Sequence, residues 1–92
     1  MPQVVVHVPL ALRELTDGRP TLRLEADSVG EILQRLRNSE PLLAGRLFAD
    51  DGSLRGFVNL FLDGADIGRP GADSRSISSG AEVYIVPSVA GG

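Results

Sequence analysis

The sequence predicts an α+β domain in which one main helix covers one face of a small, mixed β-sheet. Short runs with alternating apolar residues lie towards both ends of the chain, which is the pattern of half-buried strands. One amphipathic segment near residue 30 has the apolar spacing of a helix. The 92 residues allow one domain with one modest core, so the helix is best placed across one face of the sheet.

Residues 3–8 are predicted to form the first strand. The run is rich in valine, which favours strands, and Val4, Val6 and Val8 share one face that we expect to be the core face. Pro9 ends this strand because a proline has no N–H to donate to the ladder.

The first strand is expected to pair with the next one as a hairpin. Residues 10–15 form a short connection with room for one helical turn, which the turn at residues 17–18 closes. Residues 21–25 then alternate, with Leu22 and Leu24 facing inward.

A helix is predicted to begin after Ser28. Ser28 and Glu31 have the spacing of a capping box, in which a hydroxyl at the N-cap faces a carboxylate three residues later. Pro41 stops the helix because the residue before a proline avoids the helical region. The apolar stripe of this helix consists of Val29, Ile32, Leu33 and Leu36.

The second half of the chain predicts a short second helix and the remaining strands. The helix covers residues 42–48, and strands cover residues 57–62 and 82–86. Residues 65–79 are rich in Gly, Asp, Ser and Arg, which is typical of a loop, with one short edge strand around residues 66–67. The side chains expected to face inward are Val58, Leu60, Leu62, Val83 and Ile85.

Together these elements give the order ββαββ, which is the β-grasp layout. It predicts a mixed sheet of four to five strands, with the first and last strands parallel at its centre. The last strand then points its tail away from the body. We expect residues 1–87 to form the domain and residues 88–92 to form a flexible tail.

The tail ends in Gly91 and Gly92 after the small residue Ala90. Glycine has no Cβ, so this segment can pass in an extended form through a channel too narrow for other residues. The carboxylate of Gly92 is therefore an unusually accessible acyl group. An enzyme that activates a protein's own C-terminus requires such a group.

Composition excludes several other classes of function. The net charge of −3 disfavours a nucleic-acid binder, and the sequence has no run long enough to span a membrane. The N-terminus lacks the layout of a signal peptide, so a cytoplasmic location is expected. Cysteine is absent, and neither a nucleophile–base set nor a metal-binding cluster is apparent. We therefore expect a protein that is not itself an enzyme and that binds no metal.

The outward face of the sheet is expected to bind a partner. Strand alternation gives it an exposed apolar patch, and aromatic residues commonly anchor interfaces. Two alternatives are that the 65–79 loop covers part of the patch, or that the patch pairs with another copy. His7 also points outward and is expected to be a surface or interface residue. The predicted partner-binding residues are Val5, Phe57, Phe61, Tyr84, Val86 and Pro87.

Three segments resemble the ubiquitin-like sulfur carriers of the MoaD, ThiS and CysO kind. They are Phe57-Val58-Asn59, the turn Asp63-Gly64, and above all residues 80–92, in which a strand leads through a proline to Gly-Gly. The extra length at residues 39–55 places the chain nearest the CysO-like branch. Ala81 departs from the family, where Asp usually follows the glycine of this turn.

The resemblance implies a reaction at the C-terminus. An E1-like activating enzyme of the MoeB or ThiF type would adenylate the carboxylate of Gly92 with ATP and magnesium. A sulfide or persulfide would then displace AMP and leave a thiocarboxylate, while Gly91 and Ala90 give access. Further partners implied are a sulfur-accepting biosynthetic enzyme and, in CysO-type relatives, a metalloprotease that trims the tail. The chain itself would bind no cofactor.

Two other functions remain open on the sequence. The chain could be a protein modifier, joined through Gly92 to lysines of target proteins, since the same activation step serves both. It could also be a binding module whose tail is inert. Nor does the sequence identify the sulfur-containing product, which could be cysteine, a cofactor or a specialised metabolite.

Overall fold

The chain folds into one mixed sheet packed against a layer of helices. The structure, a computed structural model, describes residues 2–68 and 75–87. Its strands are β1 (Gln3–His7), β2 (Thr21–Glu25), β3 (Val58–Leu62), β4 (Ala65–Asp66) and β5 (Ala81–Pro87). Its helices are a 3₁₀ helix (Leu10–Thr16), α1 (Val29–Ser39) and α2 (Pro41–Leu47).

The strands form one five-stranded sheet in the order β2-β1-β5-β3-β4. Strands β1 and β5 are parallel neighbours at its centre, whereas β2, β3 and β4 each pair antiparallel with a neighbour. This confirms the predicted β-grasp layout, including the hairpin of β1 with β2 and the parallel pairing of the first and last strands.

The connection between β1 and β2 is the predicted helical turn, although it is longer than expected. It is a 3₁₀ helix that ends at Asp17, a residue in the left-handed conformation with φ 57°. Strand β1 stops at His7 because Pro9 cannot extend the ladder, and the N–H of Val8 donates instead to the carbonyl of Pro20 at 2.8 Å.

Helix α1 begins at the predicted N-cap, Ser28, but the return bond from Glu31 goes to Asp27, one residue before the cap. The N–H of Glu31 donates to Ser28 Oγ at 3.3 Å, and Glu31 Oε1 accepts from the N–H of Asp27 at 2.7 Å. The helix ends before Pro41, which occupies the first turn of α2, where its missing N–H costs nothing. The predicted stripe is buried against the sheet: Val29, Ile32, Leu33 and Leu36.

The turn between β3 and β4 is a tight two-residue turn. Asp63 and Gly64 have φ of 48° and 90°, which matches the preference of Asp-Gly for a hairpin turn with two positive φ angles. The edge strand lies one residue earlier than predicted, because Ile67 leaves β4 and its side chain is buried in the core. The N–H of Ile67 still donates to Leu60 O at 2.9 Å, so part of the predicted loop belongs to the core.

One hydrophobic core lies between the sheet and the helices. Every predicted inward residue of β1, β3 and β5 contributes to it, and Leu24 of β2 packs against it while half-buried. Among the residues that the structure describes, no helix is long and apolar enough to cross a membrane. The predicted tail at residues 88–92, with Ala90, Gly91 and Gly92, lies outside the described residues.

Candidate functional site

The side chains of β5 face both sides of the sheet, the core on one side and the outer surface on the other. Its side chains alternate along the strand, so Val83 and Ile85 are buried whereas Glu82, Tyr84 and Val86 are exposed. Because β5 lies between β1 and β3, the neighbouring strands extend this outer surface on both sides. We call the surface opposite the helices the open face.

The open face carries an apolar patch at its centre and towards the end of β5. The strand register places Tyr84 between His7 and Phe61, and Val86 opposite Asn59. Tyr84, Val86 and Phe57 are 45%, 43% and 41% exposed. The central members of the open face are Val5, His7, Asn59, Phe61, Glu82, Tyr84 and Val86, with Phe57 just before β3.

His7 holds the ring of Tyr84 in a defined position. The two rings stack with centroids 4.2 Å apart and planes 5° from parallel. His7 Nε2 lies 2.7 Å from Glu82 Oε1. An ionised carboxylate only accepts hydrogen bonds, so this contact requires a proton on Nε2. His7 therefore contacts two outward side chains of β5, Tyr84 directly opposite and Glu82 two residues earlier.

Asp63 fixes the start of β5 on the other side. The N–H of Asp63 donates to the carbonyl of Glu82 at 3.0 Å, and Asp63 Oδ1 accepts from the N–H of Glu82 at 3.1 Å. The carboxylate of Asp66 accepts from the N–H of Gly68 at 2.9 Å. Asp63 therefore ties the turn after β3 to β5, whereas this bond of Asp66 is local to the backbone that follows β4.

The structure brings most predicted partner-binding residues together. Val5, Phe61, Tyr84 and Val86 share the open face, and Phe57 adjoins it. Pro87 follows the opposite alternation, is half-buried, and pairs with Val58 at the end of β5.

A shallow cleft lies beside the last residues of β5. Strand β1 ends at His7, opposite Tyr84, so Ile85 has no β1 partner across this gap. Arg13 borders the cleft and is held there because its Nε donates to the carbonyl of Val8 at 3.1 Å. The cleft has a volume of about 340 Å³ and is lined by His7, Val8, Pro9, Arg13, Pro20, Thr21, Tyr84 and Ile85.

Within residues 2–68 and 75–87, no three metal-binding side chains lie together. The pKa of Asp51 is shifted, and this residue lies away from the open face, in the turn after α2. There Ser53 donates to Asp51 Oδ1 from its hydroxyl at 2.6 Å and from its N–H at 3.0 Å, which lowers the pKa of Asp51. These bonds stabilise the turn, and nothing in the turn indicates chemistry.

His7, which the sequence predicts to be a surface or interface residue, and Glu82, which the sequence did not single out, both lie on the open face. The available signal was the register of the parallel strands. In the register of β1 and β5, His7 lies directly opposite Tyr84 and diagonally opposite Glu82. Contact among the three side chains follows from this register.

Comparison with known proteins gives consistent results. The model of the ThiS family matches residues 6–92. The chain is 31% identical to the sulfur carrier protein CysO of Mycobacterium tuberculosis, covering 97% of this chain and 98% of the relative. It is 32% identical to small archaeal modifier protein 1 of Haloferax volcanii, covering 82% and 85%.

Solved structures agree with the sequence relatives. The Amycolatopsis orientalis BexX/CysO complex contains a chain that superposes with a TM-score of 0.79 at 27% identity, covering 97% of this chain and 99% of the other. The crystal structure of small archaeal modifier protein 1 from Haloferax volcanii gives 0.79 at 29% identity, covering 98% and 99%.

Proposed function

The chain belongs to the ThiS family, and we propose that it is a sulfur carrier whose C-terminal carboxylate, on Gly92, is activated and converted to a thiocarboxylate. The relatives support a ubiquitin-like sulfur carrier or modifier in general. The proposal adds the reacting residue and the chemical step. It makes the chain a co-substrate of an activating enzyme rather than an enzyme itself.

The observation that carries the proposal is the position of β5. This strand lies at the centre of the sheet, held by β1 on one side and β3 on the other, and Pro87 leads directly into the last five residues of the sequence. A central strand gives the tail a fixed starting point at Pro87. The family match also extends to residue 92, so the Gly-Gly end falls within the region that relatives share.

The proposed chemistry has two steps when sulfide is the sulfur source and a third when a persulfide is. A carboxylate oxygen of Gly92 attacks the α-phosphorus of ATP, and pyrophosphate leaves, which gives an acyl-adenylate. Sulfide or a persulfide then attacks the acyl carbon, and AMP leaves with the bonding electrons. In the persulfide case, a thiol reduces the resulting acyl disulfide and releases the thiocarboxylate. In this proposal ATP and magnesium bind to the partner.

The open face is the proposed docking surface for that partner, an E1-like enzyme of the MoeB or ThiF type. Tyr84 and Val86 lie on the strand that leads to the tail, so a protein bound there is close to Pro87, after which the tail begins. An enzyme that accepts the sulfur would use the same face in turn. A BexX/CysO complex in Amycolatopsis orientalis shows that a similar carrier binds another protein, which supports a docking surface on this chain.

A second function is favoured by one relative. Small archaeal modifier protein 1 is similar to this chain over most of its length, which supports a modifier that is joined to lysines through Gly92. The two functions share the acyl-adenylate and differ only in whether sulfur or a lysine amine attacks it. Protein conjugates visible on a denaturing gel would favour the modifier.

The test is the intact mass of the chain after incubation with ATP, magnesium, a MoeB- or ThiF-type enzyme and sulfide. We expect a gain equal to the replacement of one oxygen by one sulfur. A matched chain without Gly92 should show no gain. If the folded wild-type chain keeps its mass with several such enzymes, the sulfur-carrier proposal fails.

A further inference from the structure

Charge is distributed unevenly between the two sides of the molecule. Among the strand residues that the structure describes, the open face carries two basic side chains, Arg23 of β2 and His7 of β1, and His7 already contacts Glu82. Helices α1 and α2 carry three arginines against one glutamate: Arg35, Arg37 and Arg46, with Glu31. The acidic residues on or beside the open face are Glu25, Asp63, Asp66 and Glu82.

Two acidic residues, Glu82 and Asp63, lie on the side of Tyr84 that is nearer the start of β5. Glu82 is one alternation before Tyr84 on β5, and the turn residue Asp63 is bonded to Glu82. The apolar side chain of Val86 lies on the other side of Tyr84, towards the tail. Along β5, the open face therefore changes from carboxylates through an aromatic ring to an aliphatic group next to the tail.

From this arrangement we propose that the open face binds a partner protein through an arginine side chain seated between the ring of Tyr84 and the carboxylates of Glu82 and Asp63. This inference names the partner chemistry of the docking surface and rests on the proposed function. A guanidinium group is planar, stacks on aromatic faces and pairs with carboxylates, so it suits all three neighbours.

The local contacts prepare this position for such a group. His7 stacks on Tyr84 and fixes its ring, while the same histidine occupies only Oε1 of Glu82. Asp63 likewise uses Oδ1 for the N–H of Glu82. Each carboxylate has a second oxygen that can accept a hydrogen bond. The side chain of Glu82 is 50% exposed, so an incoming group can reach it.

The same pattern gives the complex a direction. The guanidinium would bind beside the first residues of β5, and the apolar contacts would form near Val86. Reversing the partner would place its basic group against Val86 and leave the carboxylates unpaired, which is unfavourable. The charge pattern therefore sets the orientation of the partner along β5.

The test is a pair of double variants with the same change in net charge. Glu82→Gln with Asp63→Asn removes both charges and keeps the oxygens that accept from His7 and from the N–H of residue 82. Asparagine also tolerates the positive φ of 48° at position 63. The control is Glu14→Gln with Asp17→Asn, two exposed positions in and after the 3₁₀ helix.

Two probes are used: purified BexX from Amycolatopsis orientalis, and the MoeB- or ThiF-type enzyme that loads the wild-type chain. We expect the open-face double variant to raise Kd roughly tenfold, because two charge pairs are lost. The control should stay within about twofold. The difference should shrink between about 0.1 M and about 1 M NaCl, as the screening length falls from ~10 to ~3 Å.

Other outcomes overturn the inference. They are equal weakening by both double variants, wild-type binding that does not respond to salt, and no binding of the wild type to either probe. A charge-dependent self-association would instead identify a second copy, with its helix arginines, as the occupant, and sedimentation would detect it. Charge-dependent binding to BexX without any gain of sulfur would leave this inference standing and remove the proposed function.

Discussion

The two faces of the sheet use the same strands for different purposes. On the inner face Val83 is fully buried, whereas Val86, three residues later on the same strand, is 43% exposed. The helices exclude water from the inner face, whereas the open face stays in contact with water. Burial, and with it most of the hydrophobic stabilisation, is therefore concentrated on the inner face.

The difference between the two faces is tested most directly by the same valine-to-alanine substitution on each. Val83→Ala removes two buried methyl groups and should lower the free energy of unfolding by about 2 kcal/mol. Val86→Ala should change it by less than about 0.5 kcal/mol, because its side chain is already in contact with water. Chemical denaturation of both variants measures the difference. Equal losses would show that the open face also carries the fold.

The helix layer can be weakened by a smaller amount. Ser28→Ala removes the acceptor for the N–H of Glu31 and should cost about 1 kcal/mol. Ser39→Ala at the exposed end of α1 is a matched control, since its hydroxyl donates only to Arg35 O one turn earlier. A loss at Ser39 equal to the loss at Ser28 would contradict the role of the cap.

The smallest expected effect lies outside both faces. Ser53→Ala removes one of the two hydrogen bonds that Ser53 makes to Asp51, so the pKa of Asp51 should rise towards its ordinary value. A lowered carboxyl pKa stabilises the fold above the unfolded pKa, and this contribution is lost as pH falls through the folded pKa. The variant should therefore lose less stability on acidification. A carboxyl titration by NMR that shows no change in Asp51 would contradict this.

Most of the fold could be predicted because local and global signals agree. The N-cap at Ser28, the alternation in β1 and β3 and the Asp63-Gly64 turn each have a local physical cause, and each is present. The burial of Ile67 could not be predicted, because the residue lies at the end of a short edge strand among polar neighbours. Its burial depends on the assembled core, which no local pattern records.

The candidate site was predictable in its membership and less so in its detail. Alternation alone placed Tyr84, Val86 and Phe61 on one face. The contact of His7 with Tyr84 and Glu82 depends on the register of two strands that are 75 residues apart in sequence. That register is set by the whole sheet. Ala90, Gly91 and Gly92 remain predictions, since they lie outside the described residues.

The account as a whole assigns recognition to the open face and reaction to the tail. Its most direct test is the rate of sulfur gain, followed by intact mass, as the concentration of the chain is varied. We compare wild type, Tyr84→Leu and the chain without Gly92. The account predicts that Tyr84→Leu raises KM roughly tenfold with kcat little changed, as expected for lost uniform binding, and that the shortened chain gives no product at any concentration. Sulfur gain without Gly92, or a fall in kcat at unchanged KM for Tyr84→Leu, would contradict it.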